Sequence, residues 1–158
     1  MRSLAAVTLV AALLMAAGAA GAPGDGRVVP QRGIAGVRLG MTKAQVRATV
    51  GLPRRVERGS TEIGSYTTSH YRTYTVTFFG GPRVTQIETR SPRERTAAGV
   101  GVGSTRAAVK AGVRGVRCVV ESGYDHCYVG TWKPGRTITD FALRSGRVWR
   151  VTIGYVID

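Results

Sequence analysis

The chain repeats itself at an interval near 64 residues, and this limits the folds open to it. Leu39-Gly40-Met41-Thr42-Lys43-Ala44-Gln45-Val46-Arg47-Ala48 aligns without a gap on Val102-Gly103-Ser104-Thr105-Arg106-Ala107-Ala108-Val109-Lys110-Ala111, an offset of 63. Tyr74–Phe78 matches Thr139–Leu143 at an offset of 65, and Val84–Ile87 matches Val148–Val151 at 64. The one-residue differences fall at turns, where changes of length cost little. Two copies make an internal duplication rather than a solenoid. The expected boundaries are repeat 1 over 33–90, a linker over 91–95 and repeat 2 over 96–158, with 33–158 one structural domain.

Each copy reads as a helix followed by strands. In the first, Thr42 is the N-cap and Gln45, three residues on, completes a capping box. Val46 and Val50 share a face, and Gly51 and Pro53 stop the helix. In the second, Thr105 caps, and Val109 and Val113 form the apolar stripe. Ile34–Val37 and Ala97–Val100 read as short helices before the caps. Tyr74, Val76 and Phe78 alternate with threonines, the pattern of a half-buried strand. Gly80-Gly81 turns the chain into Val84–Thr89, and Ser145-Gly146 joins Thr137–Leu143 to Arg147–Val156 as a hairpin. In that last strand, parity places Trp149 on the core face with Val151 and Ile153.

Residues 1–22 have the pattern of a signal peptide: Arg2, the apolar run Leu4–Ala17, then small residues. A cut after Ala19 or after Ala22 fits; the alternative is an uncleaved anchor, since Leu4–Ala22 is just long enough to span. Residues 23–32 read as an exposed lead-in. The expected protein is bacterial and exported, secreted or held at the cell envelope, with no membrane span after cleavage. An exported chain with two cysteines most simply forms one disulfide. Cys118 and Cys127 flank a strand–turn–strand stretch, which brings them within bridging range. Metal use lacks ligands: His126 alone stands nearby.

The stretch Gly40-Met41-Thr42-Lys43-Ala44-Gln45-Val46, followed by Gly51-Leu52-Pro53, resembles the repeat signature of two related groups. One is the secreted β-lactamase inhibitor proteins of actinomycetes, a tandem pair of such units. The other is the single-unit small outer-membrane lipoprotein of the barrel-assembly machinery. The tandem period, the leader and the cysteines after the second helix point to the inhibitor-like group. The resemblance implies an α+β fold: two fused repeats, each with short helices packed on an antiparallel β-sheet. It also implies recognition of a protein through the sheet face and its loops. The second copy departs from the signature at Ser104, and the first lacks a cysteine pair. The matching residues are a cap and a helix, so no interface residue carries over.

Composition argues against catalysis. Two His, two Cys and nine acids leave little for a catalytic or metal cluster, and no cofactor is expected. His70 lies in a Thr/Ser/Tyr run, and Asp125-His126-Cys127 reads as a polar turn beside the disulfide. Glu57 with Glu62, or Glu121 with Asp125, could pair, but spacing alone does not make them converge. Gly99–Gly103 lacks the lysine of a phosphate loop. The unusual property is charge: 23 Lys+Arg against 9 Asp+Glu, net +14. The expectation is a non-enzymatic module that recognises an extracytoplasmic protein, with Trp132, Tyr128, Arg150 and Tyr71 as contacts. The alternative is an electrostatic binder of anionic envelope polymers or nucleic acid through Arg54, Arg55, Arg58, Arg106, Lys110 and Arg114. Solubility of an exported chain and a GC-rich coding bias each give the same arginine-rich surface without a ligand.

Overall fold

The computed structural model describes residues 27–157. The expected signal peptide, residues 1–22, and the first part of the expected lead-in lie outside the described residues. Three two-residue strands open the fold: β1 (Val28–Val29), β2 (Gly33–Ile34) and β3 (Val37–Arg38). They form a small antiparallel sheet. Helix α1 (Lys43–Val50) leads into a meander of β4 (Arg55–Thr61), β5 (Gly64–His70), β6 (Tyr74–Phe79) and β7 (Gln86–Thr89). Helix α2 (Arg106–Gly112) leads into a second, of β8 (Arg117–Glu121), β9 (Tyr124–Gly130), β10 (Thr137–Arg144) and β11 (Arg147–Tyr155).

The two meanders join into one eight-stranded antiparallel sheet, ordered β4-β5-β6-β7-β11-β10-β9-β8. The seam is β7 against β11, with Ile87 opposite Ile153. Each meander therefore contributes its last strand to the centre, and β4 and β8 are the outer edges. The same anchoring contacts recur in both halves. Gly40 N–H donates to Val84 O, and Gly103 N–H to Val148 O. Arg83 donates to Gly40 O, and Arg147 to Gly103 O, each at 2.9 Å.

The core lies on one face of the sheet. Val76, Phe78, Ile87, Phe141, Val151 and Ile153 point into it, and Val46, Val109, Val28, Ile34 and Val37 cover them. The caps form as the sequence predicts. Thr42 and Gln45 make the reciprocal box, with Oε1 of Gln45 accepting from Thr42 N–H at 2.8 Å. Thr105 accepts from Ala108 N–H.

The expected α+β architecture is corrected by the structure. Among the described residues strands take 49% and helices 11%, with two helices, so the fold is mostly β. The helices expected before each cap do not form among the described residues. Ala35 and Gly36 both adopt positive φ, 54° and 86°, and turn β2 tightly back into β3. Gly33 permits that hairpin: a Cβ there would lie 1.8 Å from Val37 O. Residues 97–100 are instead a loop, held by Arg95 donating to Gly99 O and Val102 O. The glycines of these stretches suit turns and disfavour helix. A small sheet and a loop thus stand where helices were expected.

Candidate functional site

The face of the sheet opposite the core carries the side chains that do not serve packing. Register assigns them row by row. Arg150 on β11 lies opposite Ala142 on β10, which lies opposite His126 on β9. One row along, Thr152 faces Asp140, and Asp140 faces Tyr128. Tyr124, His126 and Tyr128 alternate along β9, so all three point to this open face.

Asp140 organises the group. It is 5% exposed, accepts from Tyr124 Oη at 2.5 Å, and pairs with His126 Nδ1 at 2.6 Å. Arg150 donates to Tyr124 Oη at 3.2 Å, closing the network above Ala142. Glu88, on β7, lies 3.9 Å from Arg150. Burial, and then the bond to Asp140, push the Tyr124 hydroxyl up to about 12. His126 is 3% exposed, and its Nε2 is buried with no hydrogen-bond partner.

Aromatic rings wall this polar floor. His126 packs on Tyr124 at 4.6 Å, on Tyr128 at 5.3 Å and on Trp132 at 5.9 Å between centroids. Trp132, in the β9–β10 connection, meets Tyr128 edge-on at 5.8 Å and is still 47% exposed. Arg117 caps Tyr128 at 5.2 Å. On the other side of Arg150 stands Trp149. Parity along β11 would bury it, but a bulge opposite Ala142 and Leu143 inserts Trp149 as an extra residue. Val148 and Val151 keep the core face, and the indole instead meets Arg90, Arg144 and Arg150.

The structure thus brings Trp132, Tyr128 and Arg150 together. It leaves Tyr71 out: that ring stacks on core-facing Tyr74 at 5.1 Å and packs against the core. Asp125-His126-Cys127 is not a turn but the middle of β9, with Asp125 paired to Arg106. No local signal distinguishes His126, because its burial depends on Asp140 and Trp132. Cys118 and Cys127 lie directly opposite on β8 and β9 and form the disulfide. It fits a secreted protein. His70 is half-buried in β5 and meets Glu57 and Arg55 at 3.3 Å.

No protein-family model matches the chain, and no curated protein matches it. Solved structures to which it is similar include a DUF4309 family protein (YjgB) from Bacillus subtilis. That likeness has 17% identity and a TM-score of 0.45, and covers 82% of this chain and 88% of the other. An extracellular protein containing a SCP domain, from Bacillus anthracis, shows 9% identity and a TM-score of 0.47. There the match covers 74% of this chain and spans 44% of that protein's length. Neither is described as a β-lactamase inhibitor protein or a barrel-assembly lipoprotein.

The six cationic side chains expected to hold a polyanion do not gather. Arg54, Arg55 and Arg58 lie at or just before edge strand β4, with Arg55 paired to Glu57. Arg106, Lys110 and Arg114 lie on or just after α2, which packs beneath β8 and β9. Seven inter-strand spacings of about 4.8 Å separate the two edges, roughly 30 Å.

Proposed function

We propose that the chain is an exported, non-enzymatic protein-recognition module that seats its partner on the open face over β8–β11. The observation that carries this reading is Trp132. Its indole is half-exposed, yet it is held against His126 and Tyr128 above a hydrogen-bonded floor. A large aromatic already fixed in place loses little freedom on binding, the property of an interface anchor. The disulfide across β8 and β9 braces the same strands. The resemblance to tandem inhibitor proteins supports a protein as the partner, and leaves open whether an enzyme is inhibited.

The Asp140–His126 pair has the outline of half a catalytic triad. A triad needs a hydroxyl bonded to Nε2. Nε2 of His126 has no partner among the described residues and is shut from solvent. This supports a structural role for the pair: it fixes the imidazole on which Trp132 rests.

The test is a capture from the host's envelope and secreted fractions, with the oxidised chain as bait and a salt gradient for elution. One or a few proteins should stay bound above about 0.5 M salt, where screening shortens to a few ångströms. The same proteins should be lost from Trp132→Ala bait and kept by Trp132→Phe. A broad anionic mixture eluting early from all three baits sinks the reading.

A further inference from the structure

We infer that the guanidinium cage around Trp149 is the seat of a carboxylate from an acidic segment of the partner protein. This rests on the recognition reading and adds the chemistry of the partner. Arg144 and Arg150 lie 4.7 Å from the indole centroid and Arg90 lies 5.0 Å away. One carboxylate, Glu88, serves this group: it meets Arg90 at 3.0 Å and Arg150 at 3.9 Å. Asp140 is spent on Tyr124 and His126. Arg144 has no acidic partner within 4 Å among the described residues.

Three cations around one ring, with one anion between them, leave a positive excess confined to the footprint of a single side chain. Like charges held this close repel, and the indole excludes part of the water that would screen them. A carboxylate relieves the repulsion, and it matches the planar fork of a guanidinium with two parallel hydrogen bonds.

A discrete carboxylate fits better than an extended polyanion. A nucleic acid or envelope polymer needs a continuous positive track. By register this face also carries Glu57, Glu88, Asp140 and Glu121, spread from β4 to β8. They interrupt any such track on either side of the cage. Trp132 and the cage flank the same polar floor, so an aromatic anchor and an acid-binding site lie within one interface.

The chain has two tryptophans, so its two indole N–H signals report separately on the cage and on the anchor. The oxidised chain is titrated with capped hexaglutamate peptide, inorganic phosphate and a twelve-base oligothymidylate, following both indoles by NMR. Trp149→Phe assigns the signals. Hexaglutamate should shift the Trp149 signal saturably, and Arg144→Gln should weaken it about tenfold or more. Phosphate alone saturating the site, or the oligonucleotide binding more tightly than the peptide, overturns a protein carboxylate. No saturable shift with any probe overturns the site. Capture separates this proposal from the reading beneath it. If Arg90→Gln/Arg144→Gln bait retains the salt-resistant partners that Trp132→Ala bait loses, the module stands and the acidic contact falls. If both baits lose them, both hold.

Discussion

Tyr124 and Asp140 show how much of the open face is settled by single hydrogen bonds. Tyr124 is held neutral by burial and by its bond to Asp140, with its hydroxyl pushed up to about 12. Tyr74, on the core face, is raised to about 12 as well, by burial and then by Tyr71 beside it. Both titrate near 10 in the unfolded chain. Between these values the native state holds protons that the unfolded state has released, so stability falls as pH rises. The stabilising contribution is fully present below about pH 10 and is lost as pH approaches about 12. Denaturant midpoints measured from pH 8 to pH 12 should therefore decline only in the upper part of that range. Tyr124→Phe should flatten part of the decline; an unchanged profile would contradict the role given to Asp140. At the opposite face, Glu94 is fully buried, accepts from Thr73 and lies 2.8 Å from Arg27 Nε, off the line of a good hydrogen bond. Arg27→Ala leaves that carboxylate buried without its counter-charge; because the Arg27 side chain is 55% exposed, the loss is about 1–2 kcal/mol. Glu94→Gln removes the buried charge, leaving only neutral hydrogen-bonding groups to satisfy, and should cost less. Urea unfolding of the two variants gives the order, and the reverse order refutes it.

Strands and helices were legible where their own residues carry the pattern. The Thr42 and Thr105 caps are local signals, and β6 shows alternation because one of its faces is core and the other is not. The first meander's outer hairpin gave no such signal. Arg55-Val56-Glu57-Arg58-Gly59-Ser60-Thr61 lies at the edge, where neither face reaches the core, so nothing selects apolar residues at alternate positions. The strands β1 to β3, two residues each, are too short to show any period. Parity failed at Trp149 because a bulge changes the count, and a bulge is a property of two strands rather than one. The α+β expectation came from the resemblance and from short helices read before each cap at Ile34–Val37 and Ala97–Val100, where the glycines instead make a tight hairpin and a loop, leaving a mostly β fold. The Cys118–Cys127 link was legible, since it depends on a single hairpin with Ser122-Gly123 at its turn. Replacing both cysteines by alanine should cost about 2–3 kcal/mol, the loop-closure entropy of so short a ring. Chemical denaturation of the double variant measures it. If the β8–β9 hairpin braces the anchor, that variant should also bind its partner more weakly at equal folded fraction.

At the scale of the whole molecule, the halves look separable in sequence but share one interior. Val46 and Ile87 from the first half and Val109 and Val151 from the second belong to a single buried cluster. The first residues of the described chain cross between the halves. Val28 N–H donates to Arg95 O. Gln31 N–H donates to Thr139 Oγ1, and its side-chain amide to Val129 O, so the turn after β1 is pinned to β9 and β10. β2 meanwhile packs near β7. A fragment of residues 96–158 would lose that cover and would expose the β11 edge that β7 now pairs, with Val151 and Ile153 left half-covered. Stripped of both, a chain of that size buries too little apolar surface to offset its conformational entropy. The expectation is that this fragment is unfolded alone, and that the whole chain unfolds in one transition. Far-UV circular dichroism should then coincide with tryptophan fluorescence, which reports on the second half alone because both tryptophans lie there. Two separated transitions, or a folded fragment with a protected disulfide, would show instead that each half is a unit in its own right. The open face would then be a junction between two modules, and its network from Glu88 through Arg150 to Asp140 would be a contact that holds them together.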